Sequence, residues 1–110
     1  MKQKDIFLAN LNPSKGSEQQ GIRPVVIISG NAMNDNLEVC IACPLSSVIK
    51  GYAGCVYLKK DDQNNLNNDS EVICFQIRII SNDRLISRMG EISDFQLNEI
   101  KKKLFEVLTF

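Results

Sequence analysis

The stretch richest in potential chemistry runs from Asn12 to Ser29, reading Asn-Pro-Ser-Lys-Gly-Ser-Glu-Gln-Gln-Gly-Ile-Arg-Pro-Val-Val-Ile-Ile-Ser. A polar, glycine-bearing loop here delivers Arg23 to the mouth of a β-branched run. A guanidinium fixed at the end of a rigid strand suits a phosphodiester, because its planar fork matches two oxygens at once. The same arrangement also describes a solvated arginine at an ordinary loop–strand junction, the fate of most surface charges. The chain contains 0 histidines. That removes the commonest general base, the commonest metal ligand and every Ser–His or Cys–His nucleophile pair. An enzyme built on this sequence must work by another route.

Two further groups could do chemistry. Cys40, Cys43, Cys55 and Cys74 offer four thiols, and a zinc site is one reading of them. A tetrahedral site needs convergent ligands, whereas Cys40 and Cys43, an odd number of residues apart on a strand, face opposite sides. Buried, reduced thiols packed as small apolar side chains are the simpler reading, so no metal and no cofactor are expected. Lys101, Lys102 and Lys103 could meet phosphates, or could simply form the solvated arc of an amphipathic helix.

These residues need a scaffold, and the pattern supplies one. Asp5 to Ala9 reads as a first strand, and Asn12 to Ser17 as a turn-rich break whose polarity continues to Gly21. Arg23 to Ser29 lacks polar alternation, which predicts a central strand buried on both faces, with Pro24 near its start. Gly30 to Asn36 reads as a polar loop, Glu38 to Cys43 as a strand ended by Pro44, and Gly54 to Leu58 as a fourth strand. Lys59 to Asp69 is a polar loop, and Glu71 to Ile80 one long β-branched strand. Short strands between turns predict a small, strongly curved barrel or sandwich. The period then changes. Ser93 and Gln96 form a capping box, and Leu97, Ile100, Leu104 and Leu108 follow at helical spacing with Phe105 alongside.

A chain of 110 residues and 12.4 kDa predicts a single domain over 1–110 with an unstapled core. Thirteen basic residues balance 13 acidic ones, which excludes a strongly basic nucleic-acid-binding domain but leaves room for a local basic groove. Arg78, Arg84 and Arg88 make the segment 76–90 positive, while the Asp-rich segment 59–75 is negative. The charged start has no apolar leader behind it, and the longest apolar run, Val25 to Ile28, is far too short for a bilayer. The expectation is a soluble, cytoplasmic protein.

The motifs together resemble the MazF/PemK family of toxins from bacterial toxin–antitoxin pairs. The first block is Asp5-Ile6-Phe7-Leu8, then Pro13-Ser14-Lys15-Gly16-Ser17-Glu18-Gln19-Gln20-Gly21, then Arg23-Pro24 and Val25 to Ser29. A second is Cys43-Pro44-Leu45-Ser46-Ser47 with Lys50-Gly51-Tyr52. A third is Gln76-Ile77-Arg78-Ile79-Ile80, Asp83-Arg84-Leu85 and Gly90-Glu91-Ile92-Ser93. The resemblance covers essentially the whole chain in order, and its first block is the most specific. It implies a mainly β fold, a small CcdB/PemK-like (SH3-like) β-barrel with a long C-terminal α-helix, assembled as a homodimer. It implies a metal-independent endoribonuclease cutting single-stranded RNA at short motifs, held in check by a cognate MazE/PemI-like antitoxin. By the same resemblance Arg23 and Ser46 are catalytic, and Ser17, Glu18, Gln19, Ser47, Lys50, Gln76 and Arg78 contact substrate. Two positions depart from the family. Ser46 stands where a threonine is usual, keeping the hydroxyl, and Phe75 replaces the usual acidic neighbour of Gln76.

Such chemistry is compatible with a chain lacking histidine. A ribose hydroxyl can attack the adjacent phosphorus to give a cyclic phosphate and a free 5′-hydroxyl, if the protein aligns the sugar and stabilises charge on the phosphoryl oxygens. Arg23 can supply the charge and Ser46 a hydrogen bond. Glu18 could act as a base, but the expectation is that it orients Arg23 and contacts substrate. The alternatives are a gyrase-directed poison on the related CcdB-like barrel, or a catalytically weak binding module. A flexible acidic antitoxin segment, folding onto the groove over Ser17 to Gly21, Arg23, Arg78 and Arg84, would compete with RNA.

Overall fold

The computed structural model describes residues 1–13 and 15–110. Ser14, within the turn expected over Asn12 to Ser17, lies outside the described residues. Seven strands form: β1 (Asp5–Asn10), β2 (Ile22–Ile27), β3 (Val39–Ser46), β4 (Cys55–Leu58), β5 (Ser70–Ile73), β6 (Arg78–Ser81) and β7 (Leu85–Glu91). Among the described residues there are also two α-helices, α1 (Asn31–Asn36) and α2 (Asp94–Thr109), and short 3₁₀ turns over Cys74–Gln76 and Asn82–Arg84. All strand pairs are antiparallel and run in the order β4-β5-β3-β2-β1-β7, with β6 also on β3. The mainly β architecture with a C-terminal helix is the expected one, although pairing among the described residues does not close the sheet into a barrel.

The β2 run behaves as its composition requires. Val25, Val26 and Ile27 are each fully buried. Because alternate side chains point to opposite faces, Val26 and Ile28 join one apolar cluster and Val25 and Ile27 another. The first lies beneath α2, whose Leu97, Ile100 and Leu104 pack on Ile6, Cys43, Leu45 and Val72. The expected capping box starts that helix. Ser93 Oγ accepts from the Gln96 amide at 3.1 Å and Gln96 Oε1 from the Ser93 amide at 2.9 Å. Leu108, expected on the buried stripe, is exposed together with Phe105 and Phe110.

Four elements differ from the sequence pattern. Gly30 to Asn36 is not all loop. Asn34 folds α1 back by bonding the Ser29 carbonyl and hydroxyl at 2.8 and 2.5 Å, and six residues are too few to show helical periodicity. β3 does not stop at Pro44. It pairs with β6 as far as Ala42 and with β5 from Leu45 onward, so Pro44 sits where the strand changes neighbours and its missing amide is tolerated. The run from Glu71 to Ile80 is broken by a 3₁₀ turn over Cys74–Gln76. Leu45 faces Val72 whereas Ala42 faces Arg78, so three steps on β3 correspond to six on its partner, and the turn absorbs the excess. Finally, β7 was not anticipated as a strand. It is an edge strand on β1 with one buried residue and two register shifts, so its burial carries little alternation. Gly90 near its end lies under the segment 59–69, where a Cβ would stand 2.4 Å from the Gln63 carbonyl oxygen.

Candidate active site

The loop between β1 and β2 is closed at its neck. The Leu11 amide donates to the Gly21 carbonyl at 2.9 Å and the Gly21 amide to Asn12 Oδ1 at 3.0 Å. Arg84 braces the same neck from β7's side, donating to the backbone carbonyls of Asn12 and Asn10. Arg84 therefore serves the loop's base. At the far side Gln76 grips the loop from the 3₁₀ turn. Its Oε1 accepts from the Gln19 amide at 2.7 Å, and its Nε2 donates to the Ser17 carbonyl at 3.1 Å. Both ends of the Gln76 amide are thus engaged by protein.

Arg23 leaves this loop on β2 and is half-buried. Its Nε donates to the Gln20 carbonyl at 2.7 Å, which fixes the plane of the guanidinium. Glu18 is not what orients it. The Glu18 carboxylate accepts from the Lys15 amide at 2.7 Å, and no ion pair joins it to Arg23 among the described residues. A carboxylate three residues beyond an open amide closes a local turn at less conformational cost than reaching across the loop.

The β2–β3 register sets Val25 opposite Pro44. Two residues further along each strand stand Arg23 and Ser46, so both belong to the same ends of neighbouring strands. They open into different clefts. Arg23 and Ser47 line one of about 190 Å³ together with Asn67, Asn68 and Ser70. Ser46 lines another cleft of about 280 Å³ with Ser17, Gln19, Lys50, Glu71 and Gln76. A third, of about 410 Å³, holds Ser17, Glu18, Gln76 and Arg78. Phe75 borders the second and third. The nine residues singled out in the sequence therefore line three clefts, seven of them in two clefts that share Ser17, Phe75 and Gln76, and Arg23 and Ser47 in a separate one.

The Ser46 hydroxyl is held in place. Its Oγ accepts from the Val48 amide at 3.1 Å and turns its proton toward the Val48 carbonyl at 3.5 Å, a contact long enough to yield to a closer acceptor. Glu71, which the sequence reading passed over, lies opposite Ser46 in the β3–β5 register. It is buried, with 4% exposure, beneath the segment joining β3 to β4, and accepts from the Lys50 and Gly51 amides at 3.3 Å each. Nothing in a β-branched run marks one carboxylate as buried; only the segment folded over it does so. Lys50 places its ammonium 5.7 Å from the Tyr52 ring centroid, at cation–π distance.

Cys40, Cys43 and Cys74 pack in the apolar clusters, with the Cys43 and Cys74 side chains hydrogen-bonded to each other. Cys40 and Cys43 enter opposite apolar clusters, as the spacing required. All four thiols are free, and no group of three or more Cys, Asp or Glu able to hold a metal ion gathers among the described residues. Burial, and next the charge of Glu71, push the Cys55 thiol up to about 11. No helix of the described residues is long and apolar enough to cross a membrane.

The fold itself is that of small toxins already known in three dimensions. MazF from Deinococcus radiodurans superposes with a TM-score of 0.85 at 26% identity, over 100% of this chain and 97% of that one. In a crystal structure of MazE–MazF from the same organism, the matching chain gives 0.77 at 25% identity, over 98% and 95%. Endoribonuclease MazF of Staphylococcus saprophyticus is 30% identical over 105 residues, covering 94% of this chain and 88% of that protein. The profile of the PemK-like, MazF-like toxins of type II toxin–antitoxin systems matches residues 2–108, and the chain belongs to that family.

Proposed function

We propose that this chain is a single-domain endoribonuclease toxin that cleaves single-stranded RNA in the cytoplasm, acts as a homodimer and is neutralised by a MazE/PemI-like antitoxin. The observation that carries the reading is the placement of Arg23, clamped through Nε by the Gln20 carbonyl, at strand ends shared with the anchored Ser46 hydroxyl. The relative named endoribonuclease supports the same activity. The exposed Ile77, Ile79, Ile86, Leu108 and Phe110 provide apolar surface for a partner subunit.

In the reaction the ribose 2′-oxygen attacks the adjacent phosphorus, its proton leaves, the bond from phosphorus to the 5′-oxygen breaks, and that oxygen takes up a proton. The products are a cyclic phosphate and a 5′-hydroxyl. No water need be activated for this step. The protein's work is to hold the sugar and phosphate in line and to balance charge growing on the phosphoryl oxygens. Arg23 does so with its terminal nitrogens, Ser46 with its hydroxyl proton. Ser47 beside Arg23, and Lys50 and Arg78 in the flanking clefts, hold the phosphates and sugars on either side. Glu18, Gln19 and Ser17 form the loop wall that the strand passes. Family membership favours this reading over a gyrase poison or an inactive binding module.

The test is cleavage of a defined RNA with mapping of 5′ ends. Arg23→Ala is expected to abolish cutting with the fold intact. Ser46→Ala should lower it on the order of 10²-fold or more, the usual cost of one oriented donor to a developing charge, while Ser46→Thr stays active. Cutting by Arg23→Ala at the wild-type rate would overturn the mechanism.

A further inference from the structure

We propose that the Ser46 cleft is a nucleobase pocket in which Glu71 selects guanine. The inference rests on the ribonuclease reading and assigns that enzyme a base preference. Glu71 is placed for it. It lies opposite Ser46 on one side and Tyr57 on the other, on the outer face of the β3-β5-β4 sheet. A carboxylate on an outer face would normally stand in water. Here the segment joining β3 to β4 folds over it and leaves it 4% exposed, lining the cleft.

Its coordination is incomplete. The two backbone amides that reach it do so at 3.3 Å, long for hydrogen bonds to a charged acceptor, and its remaining protein donor is the weak Cys55 thiol. No cation pairs with it among the described residues. An ionised carboxylate has about four acceptor sites on two oxygens and no donor. The two amides, one to each oxygen, leave about half of that capacity open, and a buried acceptor short of close partners favours a ligand that brings a pair of N–H donors.

The rim supplies the rest of a base site. Phe75 and Tyr52 present half-exposed rings to the cleft. Phe75 is seated against Gly54, where an added Cβ would come within 2.6 Å of the ring, and its amide is tied to the Gly54 carbonyl at 3.3 Å. A ring fixed between two clefts is a stacking platform for single-stranded RNA, whose bases are read on their edges once splayed apart. Of the four bases, only guanine offers two adjacent N–H donors, N1–H and the N2 amine, without an acceptor between them. Adenine, cytosine and uracil would each set a ring nitrogen or carbonyl lone pair against the carboxylate. A site built to bond an N–H rejects ligands lacking it more sharply than an apolar site rejects a missing methylene.

Cleavage sites of the wild-type protein should carry guanine at one fixed position. Replacing that guanosine with inosine removes the N2 amine and should lower kcat/KM on the order of 10- to 100-fold, the worth of a hydrogen bond to a charged group. Glu71→Gln should flatten the preference at that position alone, whereas Ser46→Ala slows all sites alike. Cutting with no fixed guanine, equal rates for guanosine and inosine, or a Glu71→Gln enzyme that slows every substrate by one factor would each overturn the pocket while leaving the ribonuclease reading intact. A wild-type protein that cuts no RNA would overturn that reading, and the pocket with it. The inosine substrate needs no protein variant, so the proposal stays falsifiable even if Glu71→Gln fails to fold.

Discussion

Replacing Gln76 with alanine should separate a residue that touches RNA from one that builds the surface RNA touches. The side chain makes two hydrogen bonds to the loop, at 2.7 Å to the Gln19 amide and 3.1 Å to the Ser17 carbonyl. Each neutral bond contributes about 0.5–1.5 kcal/mol net, and the exposed one belongs at the low end. Together they hold the loop by about 1–2 kcal/mol, a factor of roughly 5–30 in its open population. The neck bonds at Leu11, Asn12 and Gly21 are untouched, so opening stays local and the melting temperature should move little. Amide exchange read by NMR gives the direct assay. The Gln19 N–H should lose protection by that factor in Gln76→Ala, while Leu11 N–H keeps its own. Cleavage should weaken on the order of tenfold in kcat/KM, through KM more than kcat, because Arg23 and Ser46 stay in place. Unchanged protection at Gln19 would refute the clasp. Loss of kcat with the loop still protected would show instead that Gln76 acts on the substrate.

Three further outcomes follow from local geometry. Gly90→Ala should destabilise the protein by about 1–3 kcal/mol, seen as a clear fall in melting temperature, because the new Cβ meets the Gln63 and Asn64 backbone and not a side chain that can turn away. Ser93→Ala should cost about 1 kcal/mol by opening the capping box, or roughly 4 °C, and Ser93→Asp should recover most of it. Cys55, with its thiol pushed up to about 11 by burial and then by Glu71, should alkylate more slowly than an unfolded cysteine at pH 9. Since the folded state favours the neutral thiol, the stability this gives is full below the unfolded pKa and is lost as pH climbs toward 11. An alkylation profile with the same midpoint in the native and unfolded chain would contradict it.

Local patterns in the sequence determined the frame. The all-apolar run Val25 to Ile28 could only be a strand buried on both faces, because no alternation leaves a side for water. Ser93 and Gln96 fixed the start of α2, since a capping box is closed within four residues. The family motif brought Arg23 and Ser46 to notice, and the strand register sets them at neighbouring ends. What the sequence could not carry were relations between distant segments. The break at Cys74–Gln76 falls inside a run that reads as uninterrupted strand, because its cause is a change of partner along β3. That break turns Gln76 toward the loop 57 residues earlier. Likewise Arg23 is oriented by a backbone carbonyl, which no residue type announces, and not by Glu18, the carboxylate that charge pairing alone would choose. Glu71 looks like any polar residue of a strand until the segment from β3 to β4 lies across it. Periodicity and capping act over a few residues and are written locally. Burial of a single charge, and the partner of a single amide, depend on which surfaces meet, and only the folded chain decides that.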